Sequence, residues 1–289
     1  MRPVCVIANP SAGGGRTADS LPQVEAALRR HGIPFRVERT YSIEHARELA
    51  RATVAAGEVA AAMGGDGLLG AVAGELRGTD GVLAVIPGGR GNDFARKLGM
   101  GSDPLAACDV IAGGVVSKLD VADIDGRAFL GIASAGLDSD AGDIANATRL
   151  RLGRLVYLYA TLRALRAWKP AHWEVVIDGD PHSFTGYSVA VANSGVFGGG
   201  MFLAPEARLD DGLLDIVLVH DVSKRVYLNN LPKVFTGKHV HAPGIEFLRG
   251  REIAFHADRP FSVQADGDPI AQIPATVRVQ PGALRVLTG

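Results

Sequence analysis

This chain of 289 residues has few cysteines, a net charge close to zero and no long apolar run, and each of these features excludes a class of protein. The two cysteines, Cys5 and Cys108, lie in apolar contexts and lack the spacing of metal ligands. We therefore expect reduced core thiols in a cytoplasmic protein, and neither a disulfide scaffold nor a zinc site. The net charge of −1 gives no overall attraction to nucleic acid. No stretch is apolar over the length of a membrane span, and the first residues predict a strand rather than a signal peptide.

The composition is that of a globular protein with an extensive core. Hydrophobic residues make up 47% of the chain and charged residues 21%, and the length predicts about two domains. Strand and helix patterns alternate over roughly the first 120 residues, which is typical of a doubly wound parallel sheet. Four helices are predicted here. The first runs from about Asp19 to His31, and the second runs from Ser42 as N-cap to Gly57. The third follows the loop at 64–67 and ends at Leu76, and the fourth covers DPLAACDVIAGG.

The pattern changes near Val121, where closely spaced strands begin. Short apolar runs separated by turns such as Asp-Gly-Asp at 178–180 and 266–268 are typical of an antiparallel β-sandwich. One predicted helix, from about Gly153 to Trp168 and closed by Pro170, interrupts these strands. The predicted strands are HWEVVID, YSVAVANS, LLDIVLVH, EIAFHA, FSVQAD and ATVRV.

Three glycine-rich loops follow strands of the α/β part: NPSAGGGR at 9–16, GGDG at 64–67 and PGGRGND at 87–93. The carboxyl ends of parallel strands form the ligand crevice of such sheets, and glycine loops there present backbone N–H groups to phosphates. Each loop alone is explained as well by a tight turn, but three at one edge favour a nucleotide. None of them is a Walker loop, because G-x-x-x-x-G-K-[ST] is missing.

These loops resemble conserved blocks of the diacylglycerol-kinase-type lipid kinases, which include sphingosine and ceramide kinases and bacterial diacylglycerol and phosphatidylglycerol kinases. NPSAGGGR, GGDGLLGAV and PGGRGNDFAR carry the resemblance in the first part of the chain. It continues through GLDSDA (136–141), VANSGVFGGGMFLAPEARLDDGLLDIV (191–217) and DGD (266–268), in the family's order and spacing. GGDG alone also occurs in NAD kinases and phosphofructokinases, whereas the combination is specific and covers nearly the whole chain.

The resemblance implies a fold and a nucleotide site. Residues 1–123 are expected to form a nucleotide-binding α/β domain similar to that of NAD kinases and phosphofructokinases, joined by a final strand at about 280–289. Residues 124–279 are expected to form an antiparallel β-sandwich domain for the lipid substrate, with ATP in the cleft between the domains. By position, the residues that would contact ATP are Asn9, Thr40, Gly64, Gly65, Asp66, Gly67, Arg90 and Asn92.

Three aspartates would carry the implied chemistry. Asp66 would contact the nucleotide or its Mg²⁺, since phosphoryl transfer depends on positioning and charge neutralisation; the alternative is a turn residue that caps the following helix. Asp266 and Asp268 match the family's D-G-E segment, whose last carboxylate is proposed as general base for the lipid hydroxyl. Without the resemblance this segment would be a hairpin turn, as we expect for 178–180.

The resemblance also implies a structural Mg²⁺ or Ca²⁺ bound by Asp211 and by the carbonyls of Arg208 and Leu213, although LDDG alone would be a plain turn. A charged network that joins the two parts of the family's fold would correspond here to Arg16, Asp93 and Asp120, with surface ion pairs as the alternative.

The sequence departs from the family pattern at three places. Arg90 stands where the family usually has Thr, and Asp268 stands where it has Glu, whose side chain is one methylene longer. Gly70 and Ala71 replace the usual Asn-Glu, which removes a carboxylate near the nucleotide. A guanidinium can bind phosphate through two N–H groups, so Arg90 is compatible with nucleotide binding.

The segment RLRLGRLVYLYATLRALRAWK (149–169) predicts a basic amphipathic helix. Such a helix could rest on an anionic membrane. The alternative, which this pattern more often indicates, is packing on its own domain with arginines extending to solvent. The predicted apolar face consists of Leu155, Leu158, Leu162 and Leu165, with Arg154, Arg163, Arg166 and Lys169 around it.

The leading hypothesis is an ATP- and Mg²⁺-dependent kinase for a lipid hydroxyl, diacylglycerol-like or sphingoid-base-like, with Asp66, Asp266 and Asp268 as catalytic residues. It implies a cytoplasmic protein that contacts membranes peripherally and transiently and has no nucleic acid partner. A homodimer is compatible with this hypothesis. Two alternatives remain. One is a soluble-substrate kinase of the NAD-kinase or phosphofructokinase type, and the other is a catalytically silent nucleotide- or lipid-binding protein.

Overall fold

The chain folds into two units, each with its own hydrophobic core. The computed structural model describes residues 2–148 and 155–289. Unit 1 consists of Met1–Val121 with Gln280–Gly289, and unit 2 consists of Ala122–Val279. Two long strands, β5 (Val115–Ile124) and β17 (Ala275–Thr288), pass from one unit into the other.

Unit 1 contains a parallel sheet in the order β4-β3-β1-β2, formed by β1 (Val4–Ala8), β2 (Phe35–Arg39), β3 (Val59–Gly64) and β4 (Val82–Pro87). β1, β3 and β4 are buried throughout and are continuous apolar runs, as expected of parallel strands covered on both faces. Near the end of β17, Arg285 and Val286 pair in parallel with Val82 and Leu83 of β4. The helices are α1 (Arg16–Arg30), α2 (Ile43–Ala55), α3 (Asp66–Leu76), α4 (Asp93–Lys97) and α5 (Pro104–Gly113).

Helices cover both faces of this sheet. α1 packs beside α5, and α2 packs beside α3. Val24 of α1 shares a core with Val4 and Val6, whereas Thr53 of α2 is hydrogen-bonded to Cys5, which points to the opposite face of β1. α1 begins at Arg16 rather than at the predicted Asp19, because Gly15 has a left-handed backbone (φ 100°) that directs the chain into the helix earlier.

Unit 2 is built mainly from antiparallel strands. Its main sheet has the order β16-β15-β7-β9-β8-β14-β17, and β12 pairs with β9 and β13. The strands are β6 (Arg127–Phe129), β7 (Ile132–Gly136), β8 (Ala171–Ile177), β9 (Asp180–Ala192), β10 (Val196–Phe197), β11 (Met201–Phe202), β12 (Leu214–His220), β13 (Ile245–Gly250), β14 (Glu252–Ala257), β15 (Ser262–Ala265) and β16 (Asp268–Gln272). An α/β unit followed by an antiparallel β unit is the fold class that the sequence predicted, and it is confirmed.

Unit 2 also carries the helices α6 (Leu137–Ala147), α7 (Leu155–Ala167) and α8 (Lys224–Asn230), followed by 3₁₀ turns at Leu231–Thr236 and Lys238–His241. Of these, the sequence predicted only α7. The predicted start at Gly153 lies outside the described residues, as do Arg154 and the side chain of Leu155. Within the described residues, no helix is both long enough and apolar enough to cross a membrane.

The predicted apolar face of α7 is only partly correct. Leu165 is buried, but Leu158 and Leu162 are each 46% exposed. The buried side of the helix is formed by Ala160 and Ala164 together with Leu165, and α7 packs mainly beside α6. Two leucines of α7 are therefore left at the surface of unit 2.

Candidate functional site

The three glycine loops of unit 1 lie against one another at the carboxyl edge of the sheet. Gly88 N donates to Gly64 O at 2.8 Å, and a Cβ built on Gly89 would lie 2.4 Å from Gly65 Cα. A Cβ built on Gly13 would lie 2.4 Å from Gly88 O. At these positions glycine is required because two backbones pass each other too closely for any side chain. Part of the glycine content that predicted a phosphate site therefore serves the contact between loops.

Asp66, the first residue of α3, directs its carboxylate towards α4. Its Oδ1 accepts a hydrogen bond from Phe94 N at 3.3 Å, at the N-terminus of α4. Desolvation raises the pKa of this carboxyl above its ordinary value of 3.8, and the surrounding backbone N–H groups only partly oppose that effect. A Cβ on Gly91 would lie 3.0 Å from Asp66 Oδ2, so the glycine leaves room beside this oxygen. Asp66 is thus a partly buried carboxylate at the junction of two glycine loops.

The loop at 87–93 is held by its own side chains. Asn92 has a left-handed backbone (φ 53°), its Oδ1 accepts from Gly89 N at 2.8 Å, and its Nδ2 donates to Gly89 O at 3.2 Å. Thr17 Oγ1 donates to Gly88 O at 3.3 Å. Both polar atoms of the Asn92 side chain therefore bond within the loop, while the side chain of Arg90 is exposed at its tip.

Asn9 and Thr40 shape the neighbouring loops in the same way. Asn9 Oδ1 accepts from Ser11 N at 3.1 Å and from Ser11 Oγ at 2.8 Å. Thr40 is buried, and its Oγ1 donates to Ser42 O at 2.7 Å. Because β1 lies between β2 and β3, the structure brings the predicted nucleotide contacts together in adjacent loops at one edge of one sheet.

Two members of the predicted charged network, Arg16 and Asp120, have hydrogen bonds to backbone groups. The Arg16 guanidinium donates to the carbonyl oxygens of Gly13 and Gly89 and so ties the first loop to the third. Asp120 is buried, and its Oδ1 accepts from Gly282 N at 2.7 Å. A groove of about 250 Å³ adjoins the contact of Arg16 with Gly89. Its lining consists of Arg16, Asp19, Ser20, Gln23, Pro87, Gly88, Gly89, Asn92, Ser102 and Pro104.

In unit 2, Asp266 and Gly267 form the tight turn between β15 and β16. Their φ values of 53° and 93° are both positive, as in a two-residue type I′ hairpin, and Ala265 pairs with Asp268. The Asp266 carboxylate accepts from Leu130 N at 3.0 Å and from Gly131 N at 2.9 Å. Asp268 follows the turn and is exposed. Asp266 therefore anchors the hairpin that presents Asp268.

The Asp-Gly-Asp segment at 178–180 has the same local structure. Asp178 and Gly179 have φ values of 50° and 95° and join β8 to β9. Asp178 accepts from Arg251 N at 3.0 Å and from Glu252 N at 2.8 Å. Turn geometry and side-chain anchoring are thus common to both segments and do not by themselves distinguish a catalytic carboxylate.

The predicted structural cation site has one carboxylate available to it. Asp211 is partly exposed, and its Oδ1 accepts from Leu213 N at 3.1 Å. The exposed Arg208 side chain pairs with Asp210 at 3.1 Å. Over residues 2–148 and 155–289 there is no cluster of three or more His, Cys, Asp or Glu side chains suited to a metal. A site here would therefore rely on backbone carbonyls beside Asp211, which a hard cation accepts.

Sequence reasoning assigned no role to Asp138, although it lies in the block GLDSDA. Asp138 is in the first turn of α6, and desolvation raises the pKa of its carboxyl. Desolvation and the nearby Asp138 raise the pKa of Tyr227 well above its ordinary value. An acidic residue just after the buried strand β7 was the signal in the sequence.

Both units match known protein families. Residues 3–124 match the diacylglycerol kinase catalytic domain, and residues 131–288 match the YegS C-terminal NAD kinase beta sandwich-like domain. A diacylglycerol kinase of Mycobacterium tuberculosis is 33% identical over 294 residues, which cover 98% of this chain and 94% of the relative. A diacylglycerol kinase of Bacillus subtilis is 27% identical, with 95% and 92% covered. A YegS-like lipid kinase of Pseudomonas fluorescens is 30% identical, with 90% and 87% covered.

An α/β unit with meeting glycine loops, joined to an antiparallel β unit, agrees with the two domains that these family matches describe. The chain belongs to the diacylglycerol kinase family of lipid kinases, as the matches over both units and the 33% identity show. The solved structure of a diacylglycerol kinase from Bacillus anthracis has a TM-score of 0.82 and 23% identity, with 100% of this chain and 97% of that chain covered, and it supports the fold. The predicted family, fold class and kinase class are therefore confirmed.

Proposed function

We propose that this enzyme transfers the γ-phosphate of ATP, with Mg²⁺, to a hydroxyl group of a membrane lipid of the diacylglycerol or sphingoid-base kind. The observation that carries the proposal is Asp66, a carboxylate of raised pKa at the junction of two glycine loops. Perturbed carboxylates of this kind cluster at functional sites. The name of the Mycobacterium tuberculosis relative supports a glycerolipid acceptor. In this proposal unit 1 binds the nucleotide and unit 2 binds the lipid.

The residues around Asp66 fit a nucleotide with its metal. The first N–H groups of α3, an 11-residue helix that starts at Asp66, lack partners within the helix and suit phosphate oxygens. Gly91 has no side chain to cover Asp66 Oδ2, from which a Cβ at that position would lie only 3.0 Å away, so this oxygen is the proposed ligand of Mg²⁺. When bound, Mg²⁺ supplies charge neutralisation for the transferred phosphoryl group. Arg90, exposed on the adjoining loop, adds a cation that can reach the phosphates.

Asp268 is the proposed general base. It is exposed, so it can approach a substrate hydroxyl, and the turn formed by Asp266 and Gly267 fixes its backbone. A base must come within hydrogen-bond distance of the proton it removes, and the rigid hairpin provides that positioning. Asp211 is proposed to bind the structural cation, Mg²⁺ or Ca²⁺, outside this chemistry.

The test is transfer of labelled γ-phosphate from ATP to lipids in mixed micelles. The acceptors are diacylglycerol, monoacylglycerol, phosphatidylglycerol, sphingosine and ceramide, with NAD and fructose 6-phosphate as soluble controls. We expect one lipid to be labelled, and Asp268→Asn to lower kcat by about a hundredfold or more, as loss of a general base does. Asp268→Glu, which restores the side chain usual in the family, is expected to retain activity.

Asp180→Asn is the matched control, because Asp180 occupies the same position after the other Asp-Gly turn. It is expected to leave kcat unchanged. Label in NAD or fructose 6-phosphate would move the enzyme to the soluble-substrate class. ATP binding without transfer to any acceptor would instead indicate a silent binding protein, consistent with Arg90 and Gly70 at positions where the family has other residues.

Peripheral membrane contact is the remaining part of the proposal. We define the α7–α8 patch as the exposed apolar side chains of these helices with the basic residues beside them: Leu158, Leu162, Leu228, Arg163, Arg166 and Lys224. Lys224 Nζ donates to Arg166 O at 3.0 Å, which joins the two helices. Exposed leucines flanked by lysine and arginine suit an anionic lipid surface, where a lipid kinase meets its substrate.

A further inference from the structure

Tyr41 is an exposed aromatic side chain at the sheet edge that carries the glycine loops. It is 83% exposed and directly follows Thr40, at the carboxyl end of β2. Among the described residues of unit 1, the exposed large apolar side chains are Tyr41, Ile43, Val115 and Val116, and the ring of Tyr41 is the aromatic one. An exposed aromatic ring beside a ligand-binding edge offers a flat apolar face to a planar ligand.

The ring of Tyr41 has an aromatic neighbour, and the residues on either side of Tyr41 are hydrogen-bonded. It stacks on His45, with ring centroids 6.0 Å apart and an angle of 9° between the planes. Both flanking residues are fixed, because Thr40 Oγ1 donates to Ser42 O and Ser42 Oγ accepts from His45 N at 3.1 Å. The Tyr41 ring therefore lies nearly parallel to the His45 ring and offset from it, and the high exposure of the side chain leaves a face of the ring open to solvent.

The position of Tyr41 in the sheet fits the length of a nucleotide. Thr40 N donates to Ala8 O at 2.8 Å, so Tyr41 lies one strand away from the loop that starts at Asn9. Neighbouring strands are about 4.8 Å apart, which puts the loops after β1, β3 and β4 roughly 5 to 15 Å from the end of β2. A base is separated from its terminal phosphate by a ribose and two further phosphates, a span of this order. Phosphates in the glycine loops and a base over Tyr41 are therefore compatible.

We propose that Tyr41, backed by His45, stacks on the base of the nucleotide and raises the affinity for nucleotides over base-free polyphosphates. The inference rests on the proposed function, since it requires that the glycine loops bind phosphates. It goes further in naming a base-binding residue that the GGDG and PGGRGND motifs do not contain. Stacking needs the ring and not the hydroxyl, so phenylalanine is expected to replace tyrosine at this position.

The test measures binding rather than turnover. The probes are ATP, inorganic triphosphate, and the triphosphate of 2-aminopurine riboside, whose fluorescence falls when its base stacks. We expect Tyr41→Ala to weaken ATP binding about tenfold and to abolish the fluorescence quenching, as loss of one base–aromatic stack does. Tyr41→Phe should behave as the unchanged protein. Triphosphate should bind all variants equally, since it has no base.

Phe235→Ala is the matched control, because Phe235 is another exposed aromatic residue, 50% exposed, in unit 2. Equal ATP affinity and equal quenching in Tyr41→Ala would overturn the inference. An equal loss of ATP and triphosphate affinity would also overturn it, since Tyr41 would then act on the phosphate loops. If the unchanged protein bound neither ATP nor triphosphate, the proposed function itself would fail, and this inference with it.

Discussion

Asp66 is a side chain whose ionisation opposes folding. Desolvation raises the pKa of its carboxyl in the folded state above 3.8, the value expected in the unfolded chain. Below that pH the carboxyl is neutral in both states and costs nothing. As the pH rises through the raised folded pKa, the buried charge costs free energy and stability is lost. A bound cation would offset this cost, which is consistent with a carboxylate kept for function rather than for stability.

We predict that Asp66→Asn is more stable than the unchanged protein at pH 7 and inactive as a kinase. The amide keeps an acceptor for Phe94 N but carries no charge to desolvate. The difference in the free energy of unfolding should shrink as the pH is lowered through the raised pKa of the folded state, because protonation removes the buried charge. Thermal unfolding at several pH values measures this difference, with Asp180→Asn at an exposed position as the control substitution. A variant less stable at pH 7 would mean that the backbone N–H groups outweigh desolvation.

At the scale of elements, the same Asp-Gly hairpin recurs with different uses. Asp125-Gly126 joins β5 to β6 with φ values of 51° and 83°, and 178–179 and 266–267 form the same turn. The local sequence predicts these turns because Asp and Gly both tolerate positive φ. It cannot predict that Asp266 anchors on Leu130 and Gly131, because those residues lie more than a hundred positions away in the chain and only the fold brings them near.

We predict that Asp266→Ala and Asp178→Ala lose stability to a similar extent, about 2 kcal/mol each, since each leaves two backbone N–H groups without their acceptor. Only Asp266→Ala should also lower kcat, because it loosens the hairpin that positions Asp268. Urea unfolding and the kinase rate per folded molecule separate the two effects. Equal losses of kcat in both variants would show that Asp266 acts through stability alone.

The local sequence predicted those helices whose ends carry a recognisable cap or stop residue. Ser42 caps α2 through its side chain, as predicted, and the helix ends at Ala55, close to the predicted stop at Gly57. α6 was missed because its first turn, with Asp138 and Asp140, has no apolar periodicity. α7 was predicted, but its buried face was predicted only in part, because Ala160 and Ala164 are buried with Leu165 while Leu158 and Leu162 are exposed.

The sequence predicted which loops form the candidate site, but not the contacts that require those residues. The motifs located the loops correctly, since all three follow strands of one parallel sheet. Only the folded structure shows that Gly65 and Gly89 pass each other backbone to backbone. The same is true of the Asp66 side chain, which points towards α4. Tyr41 lies in none of the motifs, and the sequence could not single it out because its exposure is a property of the folded unit.

At the scale of the whole molecule, the proposed membrane contact requires a local surface. A net charge of −1 gives no general attraction to an anionic bilayer, so contact would depend on the α7–α8 patch. The patch combines apolar area with positive charge, and these two contributions add when a surface helix binds an anionic interface. Among the described side chains of α7, Leu158 and Leu162 are the exposed leucines.

We predict that the double variant Leu158→Ser with Leu162→Ser binds anionic vesicles of phosphatidylglycerol about tenfold more weakly, from the lost burial of two half-exposed leucines. Vesicle sedimentation measures this binding, and phosphorylation of a short-chain, water-dispersed acceptor should be unchanged. The matched control is Val115→Ser with Val116→Ser, since both valines are exposed on unit 1, 64% and 52%. If the leucine variant bound vesicles normally, or if the valine variant lost as much, membrane contact would have to lie outside the α7–α8 patch.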